Sequence, residues 1–305
     1  MSDLKLDGLS KKFGNVVALD GLSLTVHDGE LYGFVGSNGA GKTTAMRIVL
    51  GVLSRDAGEV TYGGKPIDFE IRRQIGYMPE ERGLYPKMKV DEHLVYLARL
   101  HGMDAPEAKA SMEAWTDRLG VGHRRHDTVD KLSLGNQQRV QLSAALVHNP
   151  RILVLDEPFS GLDPVAVEVM SGVLRDTAAS GVPVIFSSHQ LDLVERLCDR
   201  VGIIKDGRIV AEGTIEDLRV TDTARMRIRV DGARPGWLAG VPNVREISRD
   251  DGEVVVEFAS GDITAEQALL KAATDAGMLR EFARERPRLQ DLFRHVVSTS
   301  EEVAA

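Results

Sequence analysis

The run Gly36-Ser37-Asn38-Gly39-Ala40-Gly41-Lys42-Thr43-Thr44 has the composition and spacing of a phosphate-binding loop. Its glycines let backbone N–H groups turn towards phosphate oxygens, and a following helix would add the positive potential of its N-terminus. Lys42 is placed to neutralise β and γ oxygens and Thr43 to ligate Mg²⁺, so a magnesium nucleotide is the expected ligand. A second cluster lies far along the chain, where Ile152-Leu153-Val154-Leu155 ends on the adjacent carboxylates Asp156 and Glu157. Asp156 can hold Mg²⁺ through water, and Glu157 stands where it can polarise the water that attacks a γ-phosphate. Alone, such a pair also passes for the start of a solvated loop; with the phosphate loop upstream, catalysis is the expectation.

These residues need elements to carry them. Residues 31–35 are apolar without alternation and end on the glycine-rich loop, and Met46, Ile48 and Val49 follow at helical spacing. Residues 152–155 and 182–186 have the same unbroken character and finish on polar positions. Strands buried on both faces with polar C-terminal ends predict an α/β fold with a parallel sheet, its site at those ends. Leu22, Leu24 and Val26 alternate with Ser23 and Thr25, which predicts an antiparallel edge layer. Residues 90–148 read as a helical insertion, with Asp104 as a cap and Pro106 in a first turn. Asp206-Gly207 between two apolar runs predicts a hairpin, and the first domain is expected over residues 1–220.

Many phosphate-loop proteins share those two clusters, so the choice of family comes from the segment between them. Lys131-Leu132-Ser133-Leu134-Gly135-Asn136-Gln137-Gln138-Arg139 opens an amphipathic helix and resembles the signature motif of ABC ATPases. The resemblance implies that Ser133, Gly135 and Asn136 meet the γ-phosphate bound on another subunit, so that one ATP needs two chains. Ser160-Gly161-Leu162-Asp163 resembles the D-loop, with Asp163 at the nucleotide, and Ser187-Ser188-His189 resembles the segment carrying the switch histidine, which makes His189 catalytic with Glu157. Phe13 resembles the aromatic that stacks on adenine, although read alone it would pass for a core residue. The sequence departs from the family pattern at Leu134 and Asn136, where glycine and glutamine are common, and at Glu80, in the place of the Q-loop glutamine. A carboxylate at Glu80 can still reach Mg²⁺ or water, so Thr43, Glu80 and Asp156 form the expected metal set. The resemblance covers about residues 4–218 and implies a P-loop NTPase of the ABC type, with a mixed sheet core, an antiparallel edge layer and a helical subdomain.

After residue 224 the pattern changes to short strands at 226–230 and 254–258 and helices at 265–276 and 287–297, a small α+β domain over 224–298 with a loose tail at 299–305. Leu289, Leu292, Phe293, Val296 and Val297 would give the last helix one apolar face, able to pack on its own sheet or on a second subunit. This region resembles the C-terminal domain of ATP-binding subunits of the sodium-extrusion and drug-export type.

Composition narrows the partners. The balance of 38 basic against 46 acidic residues contains no Lys/Arg block, so no nucleic acid is expected. Residues 1–20 lack the apolar core of a signal peptide, and no stretch reaches the roughly 18 apolar residues of a membrane span. The single cysteine, Cys198, reads as helix packing. The resemblance implies a transport ATPase using ATP and Mg²⁺, cytoplasmic and held peripherally at the membrane by an integral permease subunit, paired with itself or a sister ATPase. Soluble ABC ATPases of DNA or ribosomes insert a coiled coil, carry zinc cysteines or fuse two cassettes, none of which is seen. A nonhydrolytic sensor has no need of both Glu157 and His189.

Overall fold

The computed structural model describes residues 2–81, 83–219, 223–234, 236–250, 252–285, 289–291 and 293. It divides into two compact units whose main spans are Met1–Ile215 and Glu216–Leu292. In chain order the strands are β1 (Leu4–Phe13), β2 (Val16–Val26), β3 (Leu31–Val35), β4 (Ala57–Tyr62), β5 (Lys65–Pro66), β6 (Ile75–Met78), β7 (Ile152–Leu155), β8 (Val184–Ser188), β9 (Arg200–Lys205), β10 (Arg208–Thr214), β11 (Thr223–Asp231), β12 (Arg245–Asp250), β13 (Glu253–Ala259) and β14 (Met278–Glu285).

The first unit is built on a mixed sheet of order β10-β9-β3-β8-β7-β6, parallel except for β10. Strands β3, β7 and β8 are buried at every residue, the consequence of unbroken apolar runs covered on both faces. The antiparallel edge strand follows a turn in which Asp206 and Gly207 both have positive φ, 49° and 77°, as a tight hairpin requires. A second, antiparallel sheet has the order β2-β1-β4-β5, and its alternating Leu22, Leu24 and Val26 share one core with Tyr32, Phe34, Met46, Val49 and Ile152. The helix Lys42–Val49 thus packs in the same core as both sheets, which anchors the loop that precedes it. Cys198 also packs: a Cβ at Gly33 would come within 2.8 Å of its sulfur.

The insertion holds helices Val90–Leu100, Ala105–Arg118 and Leu134–Leu146. The second opens on a capping box, Asp104 accepting from the Glu107 amide at 2.8 Å and Glu107 from the Asp104 amide at 3.3 Å. One strand differs from its sequence reading. The run expected at 182–186 pairs instead as Val184–Ser188, because Pro183 has no N–H for the ladder and serves it only as an acceptor, from the Leu153 amide at 3.0 Å. That shift carries Ser187 and Ser188 into the sheet.

The second unit is an antiparallel sheet of order β12-β13-β11-β14 with helix Ile263–Ala276 on one face. Ala224, Met226, Ile228 and Val230 of β11 pack there with Val256, Phe258 and Leu269. The strand order and the helix before the last strand match the second half of a ferredoxin-like unit, whereas turns stand at 236–240 between β11 and β12. Arg225 and Arg227 alternate onto the other face and pair with Glu257 and Glu285. Strands β12 and β14 were not legible as strands, since β12 is exposed at every residue and shows no apolar alternation. Leu289 is buried, whereas Pro287, Leu292, Val296, Val297 and the tail at 299–305 lie outside the described residues.

Candidate active site

The ends of β3, β6 and β7 open onto a cleft of about 340 Å³ lined by Asn38, Gly39, Gly41, Lys42, Thr43, Thr44, Glu80, Asp156 and Glu157. The fold therefore brings the phosphate loop, the acid pair and Glu80 to one place. The loop bends tightly under close packing. Gly41 has φ of 111°, and a Cβ there would lie 2.5 Å from the Ala18 carbonyl oxygen; one at Gly36 would lie 2.6 Å from the Ile204 carbonyl oxygen. Gly36, Ser37 and Ala40 do not line the cleft but frame it. The Lys42 ammonium, itself buried, donates to the Gly36 and Ser37 carbonyls at 2.7 and 3.1 Å, and Ala40 accepts from the Gly207 amide at 3.0 Å. Gly41 caps the helix Lys42–Val49 without a side chain, so no side-chain acceptor competes for the first N–H groups. An ammonium beside free helix-start amides is an anion site.

The acid pair faces this positive end. Asp156 is 1% exposed, its amide donates to the Met78 carbonyl at 2.8 Å, and its Oδ1 accepts from the Ser187 hydroxyl at 2.6 Å. Glu157 stands in the left-handed region at φ 49°, a conformation costly for a side chain this long, and its amide donates to Ser187 Oγ at 2.8 Å. Its Oε2 lies 2.8 Å from His189 Nδ1. Asp156 Oδ2 and Glu157 Oε1 are buried without any hydrogen-bond partner. Orphaned carboxylate oxygens in a cleft with a threonine and Glu80 suit a hard divalent cation and a water molecule. Burial, and then the neighbouring Asp156 carboxylate, push the Tyr77 hydroxyl above its usual range.

Other expected site residues stand away from the cleft lining. Ser133 is exposed and caps the helix Leu134–Leu146, its Oγ accepting from the Asn136 amide at 3.4 Å. A Cβ built at Gly135 would make ordinary van der Waals contact with Leu162 and Ala166, at 3.8 and 4.0 Å. Asp163 caps the helix Pro164–Ala179 by accepting from the Ala166 amide at 2.7 Å. Phe13 is 49% exposed at the tip of the β1–β2 hairpin, with the Lys11 ammonium 5.6 Å from its ring, so the reading of it as a core residue fails.

Two contributors were missed. Ser187 reads only as part of the segment that carries His189, beyond the strand expected at 182–186, until the pairing of β8 is known. Gln141 lies in the buried stripe of the helix Leu134–Leu146 and donates to the Pro79 carbonyl at 2.7 Å, tying that helix to the segment that carries Glu80. A glutamine among apolar stripe positions was the available signal.

Residues 19–160 match the family model for ABC transporters, and residues 213–297 match the model for the C-terminal domain of DrrA1-3-like ATP-binding proteins. The chain is 39% identical to the ABC transporter ATP-binding protein YhaQ of Bacillus subtilis (strain 168), over 95% of this chain and 97% of that protein. It is 31% identical to the linearmycin resistance ATP-binding protein LnrL of the same organism, over 80% of each chain. With the Nod factor export ATP-binding protein I of Burkholderia lata it shares 36% identity, over 75% of this chain and 77% of that protein. Among solved structures, an ATP-binding subunit of an ABC transporter superposes with a TM-score of 0.66 at 30% identity, covering 71% of this chain and 91% of its own. A dimeric bacterial ABC transporter cassette gives 0.63 at 25% identity, covering 70% and 98%. With a phosphate loop and a buried acid pair sharing one cleft, the chain belongs to the ABC transporter ATP-binding proteins, as an ATP-hydrolysing subunit with a DrrA1-3-like C-terminal domain.

Proposed function

We propose that the chain drives export through a separate membrane permease, hydrolysing MgATP at sites shared between two ATPase subunits. The observation that carries this reading is the pair of orphaned oxygens, Asp156 Oδ2 and Glu157 Oε1, in the cleft of the phosphate loop. Thr43, Asp156 and Glu80 would hold Mg²⁺, which would supply charge neutralisation to the phosphates. Lys42 and the amides of Gly39 to Thr44 bind the phosphates, and Phe13 offers an exposed ring to the adenine. Glu157 takes the proton of the attacking water, and His189, in contact with Glu157, orients that carboxylate and reaches the γ-phosphate. Ser133, Gly135, Asn136 and Asp163 serve the nucleotide of the partner subunit, which is a second copy or a sister ATPase. The exposed signature helix start agrees with that role, as does the dimeric state of a similar cassette.

Export is favoured over import by the relatives named for linearmycin resistance and Nod factor export, and the drug-export class over sodium extrusion for the same reason. No helix among the described residues is long and apolar enough to cross a membrane, so a separate permease would hold the chain peripherally on the cytoplasmic side. The domain at 224–298 is an accessory to the ATPase domain, 1–220. Detergent purification of the tagged full chain from its own cells tests the assembly: a multispanning protein should accompany it. A ribosome or DNA partner in its place would overturn the reading. Glu80→Gln should preserve ATP affinity while raising the Mg²⁺ concentration for half-maximal hydrolysis severalfold, and an unchanged Mg²⁺ dependence would remove Glu80 from the metal set.

A further inference from the structure

Strand β8 ends on two serines whose hydroxyls do different things. Ser188 Oγ accepts from the Gln190 amide at 3.0 Å, a local turn contact. Ser187, at 0% exposure, reaches across to β7, where Oγ donates to Asp156 Oδ1 at 2.6 Å and accepts from the Glu157 amide at 2.8 Å. A hydroxyl has one proton, so donation to the carboxylate and acceptance from the amide are complementary roles.

The location gives this bond its consequence. The ladder between β7 and β8 pairs Leu153 with Val184, Val154 with Ile185 and Leu155 with Phe186, and stops there. Asp156 and Glu157 lie just beyond it, Glu157 at φ 49°, and the Ser187 hydroxyl supplies the link to β8 that the backbone no longer makes. It occupies Oδ1 of Asp156 and leaves Oδ2 as the oxygen without a partner. By holding the Glu157 amide it also fixes the turn from which the Glu157 side chain reaches His189.

We propose that Ser187 is a positioning residue for hydrolysis: its hydroxyl sets which Asp156 oxygen takes the cation and holds Glu157 in the turn that aims its carboxylate. The inference rests on the assignment of Asp156 to Mg²⁺. A serine that merely fills a buried site would change stability when replaced and leave cation affinity in the folded protein alone.

The test uses the full-length chain carrying Glu157→Gln, loaded with ATP so that no turnover intervenes, and reads Mn²⁺ binding by electron paramagnetic resonance. Groups that orient a metal ligand are typically worth about 10–100-fold in affinity, so Ser187→Ala should weaken Mn²⁺ at least about tenfold. ATP affinity without divalent cation should stay unchanged, and Ser187→Thr, which keeps the hydroxyl, should restore most of the Mn²⁺ affinity. Asp156→Asn is the control. If it weakens Mn²⁺ while Ser187→Ala does not, the positioning role is overturned and the magnesium assignment stands. If Asp156→Asn leaves Mn²⁺ unaffected, the magnesium assignment itself fails and the inference with it. Should Ser187→Ala not fold, Ser187→Cys, with its weaker donor, decides: a severalfold loss of Mn²⁺ affinity supports the role and wild-type affinity overturns it.

Discussion

The acid cluster at the ends of β7 and β8 and the start of the helix Leu134–Leu146 are both assigned to phosphate chemistry in the proposed mechanism, yet they are built on opposite plans. In the cluster, Asp156, Glu157 and Ser187 are buried and bonded to one another, and the atoms left without partners are carboxylate oxygens. At the helix start, Ser133 and Leu134 are exposed, Gly135 and Asn136 are half-buried, and burial begins with Gln137. The difference fits the proposed mechanism, in which one chain carries a finished half-site for the nucleotide it binds and an open half-site for the nucleotide of its partner. In the first, buried carboxylates are held by hydrogen bonds, as carboxylates out of water must be; the second is an exposed helix end, whose positive potential suits an anion.

Removing function from the finished half should act on each chain by itself, and the largest effect belongs to Glu157. Replacing it with Gln removes the base and leaves the loop and Asp156 in place, so steady-state ATP hydrolysis should fall about 10²–10⁴-fold with ATP affinity retained. Phosphate release and nucleotide titration on the same sample measure both. Turnover near the wild-type rate would mean that the buried pair is not the catalytic one. Lys42→Ala should weaken binding itself by about 10–100-fold, the range of 1.5–3 kcal/mol for a charge-assisted hydrogen bond, because the loop also loses the ammonium that bridges Gly36 and Ser37. Calorimetric titration of ATP reads this, and unchanged affinity would detach Lys42 from the phosphates.

The same contrast governs what could be foreseen. The phosphate loop and acid pair were legible because both depend on local signals, glycine spacing in one and an unbroken apolar run before two carboxylates in the other. Phe13 illustrates the limit: its aromatic character suggests a core, but pairing with Val16 across the Gly14 turn puts it at a hairpin tip. Ser187 was illegible for a related reason, since its role depends on the register between β7 and β8, which the missing N–H of Pro183 moves by two residues from the apolar run. The charged β12 has no apolar face to announce it, and its place follows from pairing with β13.

Changes at the open half should act between chains. Ser133→Ala removes the cap on the Asn136 amide, worth about 1 kcal/mol, and loosens a helix start that the proposed mechanism gives to the partner's nucleotide. ATP affinity of the dilute single chain should hold, while the protein concentration for half-maximal hydrolysis rises about fivefold. Equal losses in both measurements would show that the helix start acts within its own chain and would dissolve the distinction.

The smallest effect tests whether the open half is held together at all. Leu134 is not idle: a Cβ built on Gly161 would lie 3.0 Å from Leu134 Cδ2, so the leucine rests against the turn that leads to Asp163. Leu162 from that turn is in turn the nearest side chain to a Cβ built at Gly135, at 3.8 Å. Two elements assigned to the partner's nucleotide therefore touch through apolar side chains that cannot themselves bind phosphate. The contact is partly exposed, with Leu134 at 39%, so its worth is a fraction of full burial. Leu134→Ala and Leu162→Ala should each raise the protein concentration for half-maximal hydrolysis about threefold, and the double variant about fourfold, well short of the product of the two. Each leucine packs on a glycine of the other element, so the two share one contact surface, and a coupling of about 0.5 kcal/mol, measurable in a double-mutant cycle, is the expected size. Strict additivity would mean that the signature helix and the Asp163 turn reach the second nucleotide independently, leaving the open half as two separate contacts rather than one surface.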